Sequence, residues 1–317
     1  MITLPLFDDY LLFLKTNKYS FETIYNYERD LVSFVGFLSS SPDPDFNKIS
    51  KKTIDQYKAY LISRDRKTPI KNEKGSELSA QTINRMLSVL RSYLKYLVDR
   101  DEPVPIPPEA IKLVKTEKRH PRVAELEDLI RLIESPLALE EDPLIGLRNR
   151  TIFEVLFSTG MRISELVSLN KASIDKTGRI FIMGKGKKER FVYLTPRAKN
   201  ILERYLVTRN DDSEALFIPY SGRNVNNKNK RLSTNYIQAK VKQYRQKLKI
   251  NVPVSAHSLR HGFATYLAEE GASPVAIQIL LGHESLDTTT RYVHASDHFA
   301  EETHRKFHPL REKKGLN

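Results

Sequence analysis

At 317 residues, 40% hydrophobic and 29% charged, the chain has the length of about two ordinary domains. No apolar run approaches the ~18 residues of a membrane span, the lack of cysteine excludes thiolate catalysis, cysteine-ligated zinc and disulfides, and the opening MITLPLFDDYLLFLKTNKYS carries aspartates where a secretory leader carries positive charge, so the expectation is a soluble, cytoplasmic protein. A net charge of +13 points to a polyanionic partner, either nucleic acid or an anionic membrane.

Taken in chain order, the first helix predicted by spacing runs from Ser20, a suitable N-cap, to Leu38, with Ile24, Tyr27, Leu31, Phe34, Val35 and Leu38 on one stripe. Lys51 to Ile62 reads as a shorter helix, and Ser79 to Val98 repeats the long amphipathic pattern through Ile83, Leu87, Leu90, Leu94 and Leu97. That third helix leaves Arg85, Arg91 and Lys95 facing solvent or a ligand. These elements make a small all-helical domain over 1–100. Four prolines between Pro103 and Pro108 then break the periodicity, and 101–122 reads as a linker.

The remainder, 123–317, reads as mainly α with a small antiparallel β-sheet. ELEDLIRLIES and LRNRTIFEVLFSTG are helical patterns, the second stopped by Gly160. RIFIM and ERFVYL are β-type runs joined by the glycine-containing turn GKGKK. Helices are then expected at Pro196–Val207, Tyr236–Leu248, Ser258–Glu270 and Pro274–Leu281, the last capped by Ser273 and stopped by Gly282.

Charge is distributed unevenly. Residues 1–110 carry 16 basic and 15 acidic side chains, so the excess lies beyond them; within the first domain, 1–47 is acidic, with 3 against 7, and 48–95 is basic, with 12 against 4. Between Ser221 and Ile250 stand nine basic residues and no acidic one, among them Lys228, Lys230, Arg231, Lys240 and Lys242, interleaved with tyrosines and asparagines. Such donors suit phosphate and sugar contacts, against the plainer reading of a solvated basic face.

Four short stretches carry the chemistry. STGMRISEL sets Arg162 just after a glycine turn, where a guanidinium holds a phosphate or, more simply, pairs with Glu165. GKGKKER puts Lys185 at a hairpin tip, within reach of a leaving oxygen, with Lys187 and Lys188 as alternatives on the same turn. AHSLRHGFAT places His257 and Arg260 three residues apart on one helix face. His257 and His261 also have the spacing of a metal pair, but the HExxH glutamate and a third ligand are missing, so no metal site is assigned and His261 is read as packed against the domain. LLGHESLDTTTRYVH gives His283 directly after a helix stop, and Tyr292 nine residues on. Singly each has a bland reading; together they suit phosphoryl transfer to a phenol, in which fixed cations meet the developing charge and a poor nucleophile, of pKa about 10, loses its proton.

This ordered set resembles the tyrosine recombinase (phage integrase) family, most closely its Xer-type members. The resemblance implies an N-terminal helical core-binding domain of SAM-like type and a C-terminal α+β catalytic domain, forming a C-shaped clamp on duplex DNA, with four protomers on two short core sites. By the same resemblance Tyr292 is the nucleophile, giving a 3′-phosphotyrosyl linkage and a free 5′-hydroxyl. Arg162 and Arg260 clamp the non-bridging oxygens, His283 is a further donor, Lys185 protonates the leaving oxygen and His257 assists proton transfer at the tyrosine. Strands are exchanged through a Holliday junction without cofactor, metal or ATP, serving replicon dimer resolution or mobile-element integration and excision. The tetramer is made of one chain or shared with a paralogue, with or without an external activator, and the segment from about Ser296 to Asn317 either packs on a neighbouring protomer and regulates cleavage or is a disordered basic tail. A helical domain beginning within the first twenty residues fits a recombinase without a separate arm-binding module. The alternatives are a type IB topoisomerase, which religates the original strand, and a non-catalytic DNA-binding protein on the same fold.

Overall fold

A computed structural model describes residues 4–41, 45–63, 78–116, 124–183, 189–222, 225 and 230–282. Lys185, Lys187, Lys188, Lys228, His283, Tyr292 and the C-terminal segment lie outside the described residues. The chain divides into two compact units, 1–119 and 120–317.

The N-terminal unit is built of α1 (Phe7–Thr16), α2 (Phe21–Ser39), α3 (Lys51–Ile62) and α4 (Ala80–Val98). Local chemistry sets three of the starts: Ser20, Ser50 and Ser79 each accept the backbone N–H three residues on, from Thr23, Thr53 and Thr82. That contact satisfies one of the donors a helix start leaves orphaned. The expected α4 stripe, Ile83, Leu87, Leu90, Leu94 and Leu97, is entirely buried, against Tyr10 and Leu14 of α1, Leu31 and Phe34 of α2 and Tyr57 of α3. Burying each such leucine contributes about 1.5–3 kcal/mol. Helix α1 lies ahead of the first helix predicted by spacing; with Asp8 and Asp9 in its first turn and Lys15 in its last, it matches the helix dipole at both ends.

The segment read as a linker begins later than its prolines suggest. Ile106 and Ile111 sit in the N-terminal core, and the Asn84 side chain brackets Val114, donating to its carbonyl at 2.9 Å and accepting its N–H at 2.7 Å. Prolines remove helical periodicity, but the apolar residues between them still bury, so this stretch belongs to the first unit.

The second unit contains α5 (Leu126–Glu134), α6 (Pro136–Leu139), α7 (Pro143–Thr159), α8 (Ile163–Ser168), β1 (Arg179–Met183), β2 (Glu189–Tyr193), α9 (Pro196–Val207), α10 (Thr234–Lys247), α11 (Ala256–Glu269) and α12 (Pro274–Leu281). Helix α7 runs through the middle, packing on α6, α9 and α11. It buries residues all round, including Arg148 and Asn149, whose polar atoms are satisfied by the Ile218 carbonyl and the Tyr236 and Tyr244 hydroxyls. Among the described residues the sheet is the antiparallel pair expected, with Ile180 opposite Val192 and Ile182 opposite Arg190 on its inward face. Among the described residues no helix is long and apolar enough to cross a membrane.

Candidate active site

The site is assembled where α7, α8, α11 and α12 end or begin. Gly160 closes α7 with φ of 61°, and a Cβ there would stand 2.3 Å from the Phe263 ring of α11. Only glycine lets the two helices approach this closely in that backbone conformation. The turn delivers Arg162 as the N-cap of α8, with Glu165 at the third helical position accepting the Arg162 N–H at 2.7 Å. The plain expectation for Arg162 is therefore met as well: its Nη1 donates to Glu165 Oε1 at 2.9 Å.

Helix α11 supplies Arg260 and His257. Arg260 is 3% exposed, its Nη1 donating to the Gly160 carbonyl at 2.7 Å and its Nη2 to the Leu281 carbonyl at 2.6 Å. Arg162 Nη2 reaches the next carbonyl, Gly282, at 3.4 Å. Two guanidiniums thus meet on adjacent carbonyls at the negative end of α12, one residue before His283 in the sequence. The His257 ring reaches the surface, yet its pKa falls below the ordinary imidazole value, first because the packing around it disfavours the charged form and then because Arg260 and Arg162 repel a second cation. At neutral pH it is an acceptor of protons. His261 packs edge-on to it, ring centroids 4.3 Å apart at 85°, and burial, then His257 and Arg260, push its pKa down to about 4.

The structure therefore brings Arg162, His257 and Arg260 together. Several of the cations expected to meet DNA have partners within their own unit. Arg85 is paired with the buried Asp30, Arg231 donates to the Val167 and Leu169 carbonyls and to Asn170, and Lys240 is held by Glu140 at 2.5 Å between the rings of Tyr236 and Tyr244. These three have partners within the chain, which sequence position does not reveal, and each stays partly exposed. Lys95 and Lys242 are exposed, and Arg91 and Lys230 half-exposed.

Sequence reasoning missed Arg190. It is buried, donates Nη1 and Nη2 to the two oxygens of Glu165 at 3.0 and 2.7 Å, and gives Nε to the Leu280 carbonyl at 3.0 Å. The signal was available: alternation in ERFVYL puts Arg190 on the Val192 face, away from the exposed Phe191 and Tyr193. Burial on its own would raise the Glu165 pKa, but hydrogen bonds from Arg190 and the Arg162 N–H, with both positive charges, hold it below the usual carboxylate value.

Residues 123–298 match the model of the phage integrase family and residues 7–101 that of the phage integrase N-terminal SAM-like domain. The chain is 31% identical to tyrosine recombinase XerD of Staphylococcus epidermidis over 310 residues, covering 95% of this chain and 98% of that one. It is 32% identical to tyrosine recombinase XerC of Chlamydia trachomatis over 324 residues, covering 96% of each. In fold it is similar to XerH site-specific recombinase in a post-cleavage complex with its palindromic difH substrate, with a TM-score of 0.70, 22% identity and coverage of 90% of this chain and 79% of that one.

Proposed function

Because the chain belongs to the phage integrase family and is a Xer-like tyrosine recombinase, a site-specific DNA recombinase, we propose that Arg162, Lys185, His257, Arg260, His283 and Tyr292 carry its strand cleavage and transfer. The observation that carries this reading is the meeting of Arg162 and Arg260 on the successive carbonyls of Leu281 and Gly282, beside His257. A guanidinium oriented by carbonyls presents a planar fork of N–H donors to a phosphate whose non-bridging oxygens gain charge in the transition state.

In this reading the Tyr292 hydroxyl oxygen attacks the scissile phosphorus as the bond to the 5′-oxygen breaks. Neutral His257 takes the phenol proton, and Lys185 gives one to the leaving 5′-oxygen. The 5′-hydroxyl of a partner duplex then attacks the phosphotyrosine, releasing the tyrosine and joining the exchanged strand. Bond number is conserved, so each step is reversible without an external energy source. The substrate is duplex DNA carrying a short core site, held by four protomers of this chain, or of this chain and a paralogue. The protein acts in the cytoplasm, where it resolves replicon dimers or moves an integrating element. Exposed Lys95 and Lys242, with Arg91 and Lys230, supply phosphate contacts that position the duplex without reading its sequence.

The test is a duplex nicked beside the cleavage position, from which the short fragment departs and traps the covalent adduct. The native chain forms a protein–DNA adduct mapping to Tyr292, while Tyr292→Phe binds the duplex and forms none. An adduct that survives in Tyr292→Phe, or loss of binding equal to loss of adduct, overturns the assignment.

A further inference from the structure

Arg190 breaks the local rule of its strand. A guanidinium at an inward position of a two-stranded sheet, between Ile182 and Val192 in the pairing, gives up its hydration, and such a group persists only where its surroundings repay it. Its repayment is complete in geometry: a bidentate ion pair with Glu165 and a hydrogen bond to the Leu280 carbonyl. Gly282 makes room for it. A Cβ there would lie 3.0 Å from Nη1, 3.1 Å from Cδ and 3.2 Å from Cζ, at a backbone φ of 63°. The contacts form a ring, from the Leu280 carbonyl through Arg190 and Glu165 to Arg162 and back to the Gly282 carbonyl.

The charges in this ring do not cancel. Glu165 carries one negative charge and faces two arginines, so one positive charge is left over. Arg190 is the more deeply buried of the two, its side chain 7% exposed against 38% for Arg162. The surplus therefore resides on the side of the ring that reaches solvent. With Arg190 gone, Glu165 and Arg162 would form a closed neutral pair.

We propose that Arg190 is a positioning residue for strand cleavage: by taking up the charge and both oxygens of Glu165, it keeps Arg162 a net cation aimed at the scissile phosphate, while its bond to Leu280 holds the end of α12. The inference rests on the proposed role of Arg162 as a phosphate clamp. Arg190 itself touches neither DNA nor the reacting atoms; it acts through Glu165.

The experiment measures single-turnover cleavage of the nicked duplex by the full-length protein at saturating concentration, with duplex affinity measured in parallel. Arg190→Met slows cleavage by about 10- to 100-fold with affinity within about twofold, the scale expected when a clamping group is misplaced or neutralised. The double variant Arg190→Met/Glu165→Gln, which also removes the neutralising anion and leaves no buried charge unpaired, recovers most of that rate. On a duplex whose scissile phosphate is replaced by an uncharged methylphosphonate, the difference between native chain and Arg190→Met shrinks, because there is less negative charge for Arg162 to meet. Arg190→Lys, which keeps the charge and loses the fork, falls between. A purely structural role predicts the opposite pattern: loss of binding and cleavage together, no recovery in the double variant and an undiminished ratio on the methylphosphonate. That pattern, or a native rate in Arg190→Met, overturns the inference alone. A native chain that forms no adduct on its site overturns the functional reading and this inference with it.

Discussion

Asp30 in the N-terminal unit and Glu165 in the C-terminal unit are both buried carboxylates facing arginine, 4% and 8% exposed, yet their pKa values move in opposite directions. At Asp30 burial is the largest influence, and Arg85 and the more distant Arg29 do not offset it, so the pKa rises. At Glu165 burial pulls the same way but is outweighed by the bidentate fork of Arg190, the Arg162 N–H and the charge of both arginines, so the pKa falls. The lesson is that an arginine neighbour does not by itself keep a buried carboxylate ionised. What decides is how many donors converge on its oxygens, and whether those donors are themselves withdrawn from water.

The comparison can be broken most severely at Glu165. Glu165→Gln leaves Arg190 buried without an anion, and denaturant unfolding of the full-length chain should register a loss of about 3–5 kcal/mol. Since the folded-state pKa lies below the unfolded one, the contribution is present in full above the ordinary glutamate range and vanishes as pH falls through the folded value. The gap between native chain and variant should therefore narrow toward acid; a gap independent of pH would contradict the pairing.

Arg85→Met tests the other carboxylate and should cost less, about 1–3 kcal/mol at neutral pH, because a proton can relieve the stranded Asp30. Here too the cost shrinks on acidification, but through uptake of a proton by Asp30 in the folded state. Asp30→Asn sharpens the contrast of sign. A raised folded pKa means that the native state holds the proton more tightly than the unfolded chain, so the native protein gains on this variant as pH falls through the folded Asp30 value. Unfolding midpoints across an acidic series distinguish the trends, since Glu165→Gln moves the other way.

The smallest effect is expected at His261, where burial is the largest influence. Its pKa of about 4 lies below the ordinary imidazole value of 6.5, so its contribution to stability is present above pH 6.5 and is lost as pH falls toward 4. His261→Phe keeps an aromatic edge against His257 and removes the titration. The acid side of its stability curve should be flatter between pH 6.5 and 4 than that of the native chain; coincident curves would contradict the assignment.

The two long helices of the N-terminal unit were legible because an amphipathic stripe, begun at Ser20 by a cap, is written within twenty residues of contiguous chain. Helix α7 was legible as a helix and not as a centre, because a helix buried all round shows no polar face to mark its orientation. The extent of the first core was less legible for a related reason: prolines announce a break in regularity, while the burial of Ile106 and Ile111 depends on the helices they meet. Arg162, His257 and Arg260 stood out through the order of short motifs. Arg190 did not, although its parity in the strand set it apart from Phe191 and Tyr193, because its partners lie 25 and 90 residues away.

The sequence by itself determined the chemistry on offer: a basic chain without cysteine, helices with their own caps, and an ordered set of arginine, lysine, histidine and tyrosine that places it among tyrosine recombinases. Only the tertiary structure decided which cations find a partner within the chain. Arg85, Arg231 and Lys240 are as basic in sequence as Lys95 and Lys242, but each of the first three is held by an acceptor from a distant part of its own unit. The physical reason is that basicity is a property of a residue, whereas the satisfaction of a buried polar group is a property of the elements that close around it.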